Sequence, residues 1–281
     1  MYLLSYRFYS TEVTVLELEL IISFLLLGSF VGVMAGLFGI GGGGIMVPVL
    51  TSLFVFQGVP VDKVVHLALG TSMASIIFTS ISSMRSHHAN GAVIWKIVKR
   101  ITIGILIGTF LATFIASKIN SLYLAIFFSV FMAYTSLKMF LNKKPKANKK
   151  ISGNKEIFFV GTGIGAISAL VSIGGGTLTV PYLVSRNIDI KKAVGTSSAI
   201  GLPISIAGTI GYFINGWSNS SWDNYTLGFV YLPAVLLISI TSVMTAPYGA
   251  KLVHHLPVPV LKKIFSLLLI LLSIKMLSSI I

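Results

Sequence analysis

Long apolar blocks separated by short polar ones run the whole length of this chain. A helix crosses the hydrocarbon of a bilayer with about 20 apolar residues, and blocks near that length recur at Leu18 to Leu37, Val64 to Met84, Ile101 to Ser117, Leu122 to Phe140, Ile157 to Ile173, Ala193 to Ile214, Leu227 to Ala246 and Ile264 to Ile281. Together they predict an all-α membrane protein and leave no length for a soluble domain. The first block is not read as a cleaved leader, because its basic region is Arg7 alone and Glu12, Glu17 and Glu19 precede the apolar run. It is expected to be retained as a helix.

The chain also repeats itself. Gly28, Gly32, Gly36, Ile40, the run Gly41-Gly42-Gly43-Gly44 and Pro48 recur 133 residues later as Gly161, Gly165, Ala169, Ile173, Gly174-Gly175-Gly176-Thr177 and Pro181. A shorter loop then changes the offset to 125, pairing Gly70-Thr71-Ser72 with Gly195-Thr196-Ser197 and Asn90-Gly91 with Asn215-Gly216. Ordered matches of this kind mark a duplication, which is common in transporters. The expected division is a first transmembrane repeat over 1–141, a linker over 142–156 and a second repeat over 157–281. Each repeat holds about five helical segments, one of them broken by glycine and either re-entrant or discontinuous.

Composition agrees with the blocks: 55% of residues are hydrophobic, 10% are charged, and the mean hydropathy is +0.93. The formal net charge of +14 would suit a nucleic-acid binder, but the lysines and arginines sit in short loops and in the linker, where they orient a membrane protein. No nucleic-acid partner is implied. If each glycine run turns back as a re-entrant hairpin, each half crosses an odd number of times and the halves are inverted. Only Arg7, Lys63, Lys118 and Lys275 then fall on the side opposite the lysine-rich linker. Straight crossings would divide the basic residues more evenly. The expectation is therefore inverted repeats with the linker in the cytoplasm and both termini outside, in the cell membrane. The absence of cysteine excludes disulfides, thiolate metal sites and thiol chemistry.

The glycine runs carry the candidate chemistry. Consecutive glycines disfavour helix by roughly 1 kcal/mol each relative to alanine, and a broken helix in lipid leaves backbone groups that must find partners. The same break frees N–H groups at the start of the next half-helix, where aligned dipoles favour an anion. The candidate substrate-binding residues are Gly41, Gly42, Gly43 and Gly44 in the first half and Gly174, Gly175, Gly176 and Thr177 in the second. The bland alternative for these glycines is a tight helix crossing or a hinge. Thr71-Ser72 and Thr196-Ser197 are each expected to open an apolar helix after a glycine, where they could donate hydrogen bonds to oxyanion oxygens, or equally bond their own backbone. Gly28, Gly32 and Gly36, with Gly161 and Gly165, form small-residue stripes read as helix packing.

Gly39, Gly41 and Gly44 also satisfy G-x-G-x-x-G, but a dinucleotide site needs a strand before them, and the second copy loses the pattern. His87-His88 and His254-His255 are adjacent in sequence, so neither pair shares a helix face, and both are read as interfacial. Trp95, Trp217 and Trp222 fit an aromatic belt at span ends. No metal site and no cofactor are implied. No acidic residue falls deep in a predicted span, so a buried carboxylate relay for proton coupling is absent.

The duplicated motif, Gly39-Ile40-Gly41-Gly42-Gly43-Gly44-Ile45-Met46-Val47-Pro48 and Ser172-Ile173-Gly174-Gly175-Gly176-Thr177-Leu178-Thr179-Val180-Pro181, together with the Gly-Thr-Ser pairs and Ala246-Pro247-Tyr248-Gly249-Ala250-Lys251-Leu252, resembles the TauE/SafE family of sulfite and organosulfonate permeases. The likeness covers most of the chain. It implies a permease for sulfite or a related sulfur-containing anion, with a small anion and the lipid bilayer as partners, and not an enzyme. Ser172 stands where the first copy has Gly39, and Thr177 where it has Gly44, so the two half-sites need not contribute equally. The competing readings are a membrane-embedded enzyme, which would need a nucleophile with a base or clustered metal ligands, and a structural membrane subunit, which has no evident need of paired helix breaks.

Overall fold

The computed structural model describes residues 2–141, 153–220, 225–252 and 258–280. Most of the expected linker, with Trp222, Asp223, His254 and His255, lies outside them. In chain order the helices are α1 (Tyr2–Phe38), α2 (Gly43–Phe56), α3 (Val61–Ala89), α4 (Trp95–Ala116), α5 (Ser121–Phe140), α6 (Asn154–Val171), α7 (Gly176–Ser185), α8 (Ile190–Asn215), α9 (Leu232–Leu252) and α10 (Val258–Ser278). Among the described residues six are long and apolar enough to cross a membrane: α1 from Leu18, α3, α4, α5, α8 and α9. The protein is an all-α membrane protein. The outward faces of the six spanning helices carry exposed Leu106, Leu111, Val130, Leu236 and Ile240, the surface expected where lipid is the solvent.

Local chemistry explains several boundaries. Asn120 accepts a hydrogen bond from the Leu122 N–H and caps α5, and Asp189 accepts from the N–H groups of Lys191 and Lys192 and caps α8. The block expected to begin at Leu227 starts later. Thr226–Leu227 and Val230–Tyr231 instead pair as a short antiparallel hairpin around Gly228, which has φ +60, and the helix begins at Leu232.

Helices from the two halves interleave. The α1 glycines lie on α9, Gly28 against Ile238 and Thr241, Gly32 against Ser242 and Thr245, and Gly36 against Ala246 and Ala250. The two helices therefore run parallel at backbone contact. Gly161 and Gly165 of α6 meet Ile101, Ile105 and Thr109 of α4 in the same manner. Close approach through small residues is what holds helices together where lipid removes the hydrophobic drive between them. In the centre α3 and α8 run antiparallel, with Met73 against Gly208, Ser80 against Gly201, and the Ser83 hydroxyl donating to that of Ser198 at 3.2 Å. The helices α5 and α10 also run antiparallel, joined by reciprocal bonds in which Ser129 donates to the Ser273 carbonyl at 3.1 Å and Ser273 to the Ser129 carbonyl at 2.9 Å.

Candidate functional site

Two helix breaks occupy the middle of the bundle. The first covers Gly39 to Gly42, between α1 and α2. The second covers Ser172 to Gly175, between α6 and α7. Gly42 and Gly175 precede their half-helices at the same φ of +82, a conformation that glycine adopts without strain. In the second break Ser172 also takes φ +48, and its hydroxyl donates to the Leu69 carbonyl at 3.1 Å, which anchors the turn to α3.

The breaks lie on one another. Gly174 donates its N–H to the Ile40 carbonyl at 3.0 Å, and a Cβ on Gly41 would stand 2.8 Å from the Gly174 Cα. To either side, a Cβ on Gly43 would strike the Ser172 carbonyl oxygen, and a Cβ on Gly176 would strike that of Gly39. Gly43 and Gly176 are repeat partners, as are Ser172 and Gly39, so the two contacts are equivalent. The crossing alone therefore requires glycine at Gly41, Gly43, Gly174 and Gly176. Gly42 faces the Val31 side chain, Gly44 the tip of Met132, and Gly175 the side chains of Ile204 and Thr179.

From this crossing α2 and α7 depart in opposite directions. The α2 helix ends where Ser52 bonds Ser279 at 2.9 Å, and α7 ends where Arg186, just beyond it, pairs with Glu156. Their N-termini thus face each other, and the first amides of each have no acceptor within their own helix. The residues of both breaks are buried.

The hydroxyls divide into two groups. Thr71 accepts from the Tyr231 N–H at 3.0 Å, and Thr196 accepts from the Ile94 N–H at 3.0 Å. Both threonines lie inside α3 and α8 and not at the helix starts expected, and each tethers the residue that precedes the fourth helix of the opposite half. Ser197 donates to the Val194 carbonyl at 2.9 Å and reaches the Gly39 carbonyl at 3.2 Å. Ser72 and Thr177, by contrast, bury hydroxyls that have no hydrogen-bond partner, and so does Thr179. The sequence reading missed Thr179 because its repeat partner is Met46, and a position that differs between copies carries no duplication signal.

Among the described residues, charged groups keep away from the crossing. Asp62 and Glu156 sit in first helical turns, Asp189 is a cap and Glu19 is exposed. Arg85 lies at the other end of α3 from Asp62, where it lines a cavity of about 460 Å³ with Phe78, Ile81, Ser82, Val243 and Pro247. His87 is buried in the last turn of α3, and its Nε2 lies 3.0 Å from the Gly36 carbonyl, tying the end of α3 to α1. His88 is exposed and accepts from the Trp95 indole N–H at 3.1 Å.

Residues 24–276 match the family described as sulfite exporter TauE/SafE. The chain belongs to that family. Relatives are named "probable membrane transporter protein" in Haemophilus influenzae, 38% identical over 90% of this chain and 96% of the relative, and in Methanocaldococcus jannaschii, 30% identical over 81% and 84%. A third in Bacillus subtilis, also named a probable membrane transporter protein, is 27% identical over 82% of this chain and 89% of its own. No solved structure matches. This TauE/SafE member is a multi-pass membrane transporter, and its duplicated glycine breaks fall wholly inside the matched region.

Proposed function

We propose that the protein carries a small sulfur oxyanion, sulfite or an organosulfonate, outward across the cell membrane. The observation that carries this reading is the head-to-head meeting of the α2 and α7 N-termini at the crossed breaks, in a bundle whose carboxylates, among the described residues, lie in first helical turns, at a cap or on exposed surface. Two half-helix dipoles there present their positive ends to one buried point, an arrangement suited to an anion. The family description supplies the sulfur chemistry.

The halves, 1–141 and 157–281, are read as inverted repeats that rock against each other about the crossing, with re-entrant α2 and α7. Support comes from repeat-related α3 and α8, which lie antiparallel, and from the equivalent contacts made by Gly43 with Ser172 and Gly176 with Gly39. The end of the bundle bearing Arg85, Lys96, Lys99, Arg100, Lys191 and Lys192 is read as cytoplasmic, together with the 142–156 linker. The test is binding and flux with purified protein: radiolabelled sulfite should bind and exchange in proteoliposomes, with sulfate and taurine as competitors. Absence of saturable sulfite or sulfonate movement would overturn the substrate.

A further inference from the structure

The two breaks are equivalent in position but not in polarity. Resting on the anion-carrier reading above, we infer that the anion is held at the second break, by the N-terminus of α7 with the hydroxyls of Thr177 and Thr179, and that the first break is its scaffold.

Thr179 carries the argument. A threonine inside a helix ordinarily donates its hydroxyl to the carbonyl four residues back, as Thr79 does to Ser75 at 3.1 Å and Thr162 to Phe158 at 3.0 Å. For Thr179 that carbonyl belongs to Gly175, which receives the N–H of Leu178 at 3.1 Å and of Thr179 itself at 2.7 Å but not the Thr179 hydroxyl. The Thr179 side chain is fully buried, its hydroxyl has no partner, and its Oγ1 lies 3.3 Å from the point where a Cβ on Gly175 would stand. An unused donor is thus aimed into the break at the positive end of a ten-residue helix. Thr177, in the first turn of the same helix, has a second buried hydroxyl without a partner.

The first half offers no counterpart. Gly44 and Met46 occupy the positions of Thr177 and Thr179, so the N-terminus of α2 has no hydroxyl there. The buried and partnerless hydroxyl of α2, that of Thr51, lies about two turns further on, away from the crossing. Ser197 is engaged with carbonyls of Val194 and Gly39, whereas its repeat partner Ser72 is unengaged, one turn along α3 from the Leu69 carbonyl that receives the Ser172 hydroxyl. Two free donors, on Thr177 and Thr179, therefore stand in the opening turns of the helix that leaves the second break. Neutral hydroxyls and helix amides suit an oxyanion that presents several acceptor oxygens from one centre, and they hold it without a counter-charge.

The experiment measures equilibrium binding of radiolabelled sulfite, under anaerobic conditions, to the purified full chain and to variants whose fold is checked by gel filtration. Thr179→Val exchanges the hydroxyl for a methyl of like shape and should raise the sulfite Kd at least ~10-fold, with Thr179→Ser restoring it to within about threefold of the parent. Thr177→Val should also weaken binding, while Thr51→Val, the same change at an equally buried hydroxyl away from the crossing, should leave Kd unchanged. If Thr179→Val does not fold, Thr177→Val decides the matter against the same control. Parental affinity in both Thr177→Val and Thr179→Val overturns the assignment to the second break and leaves the anion-carrier reading standing. Failure of the parent chain to bind either sulfite or taurine defeats that reading and this assignment with it.

Discussion

Gly174 donates its backbone N–H to the carbonyl of Ile40, and this 3.0 Å bond joins two helix breaks that lie 133 residues apart in sequence. Since Ile40 and Gly174 sit on opposite halves, the bond holds the midpoint of the bundle with main-chain atoms alone. Side chains cannot enter such a crossing. Gly43→Ala is therefore expected to destabilise the protein by about 3 kcal/mol or more, because the new methyl would occupy the position of the Ser172 carbonyl oxygen. Gly44→Ala meets only the flexible tip of Met132 and should fold. Yield and thermal unfolding of the two variants in detergent, compared side by side, check the contrast. Equal stability would mean that the breaks do not cross as described.

The same reasoning applies along the α1–α9 and α4–α6 contacts. Gly28→Val and Gly161→Val place branched side chains on the backbones of Ile238 and Ile101 respectively. Both should reduce the amount of folded protein in the membrane severalfold, and to a similar degree. Quantitative blotting of membrane fractions gives the measurement, and a normal level for either variant would contradict the packing.

Thr71 and Thr196 each accept a backbone N–H from the opposite half. Replacing either hydroxyl with a methyl, as in Thr71→Val or Thr196→Val, takes the acceptor from a partly buried N–H and should lower stability by about 1 kcal/mol. Because the two bonds are equivalent by repeat, the losses should match. Thermal unfolding of the single variants and of the double variant reads this directly.

Orientation is testable by single-cysteine labelling in a chain that has no cysteine of its own. A cysteine at Lys118, which is exposed at the end of the bundle poor in basic residues, should react with an impermeant reagent in intact cells. One at Asn148 in the linker should not. The reverse pattern would invert the assignment of the cytoplasmic face.

Transport should respond to voltage without a proton or sodium gradient. Among the described residues the carboxylates of Glu19, Asp62, Glu156 and Asp189 lie at helix ends or on exposed surface, so no carboxylate relay runs through the crossing. An inside-negative potential of 100 mV contributes about 2.3 kcal/mol per charge. At about 1.4 kcal/mol per factor of ten, it can hold a monovalent anion roughly 50-fold more concentrated outside. Efflux from proteoliposomes clamped with potassium and valinomycin should rise with an inside-negative potential. Flux that ignores voltage, or that appears only with an added ion gradient, would refute uncoupled export.

What the sequence determined by itself is whatever short stretches encode. Blocks of about 20 apolar residues announce helices in lipid, because no other open structure satisfies its backbone there. The spaced glycines Gly28, Gly32 and Gly36 announce close helix contact, and the runs of four glycines from Gly41 and three from Gly174 announce interruption, since consecutive residues without side chains disfavour a helix wherever they occur. Duplication was legible for the same reason, as each copy needs the same local chemistry. The tertiary structure alone decided what meets what. No local pattern says that α1 lies along α9 of the other half, or that the two breaks supply each other's contacts. Nor does the sequence say which hydroxyls are occupied. Thr71 and Thr179 look alike along the chain, yet one accepts a backbone N–H from the opposite half and the other has no partner, because a hydroxyl's hydrogen bonds depend on neighbours that only the assembled bundle brings within about 3 Å.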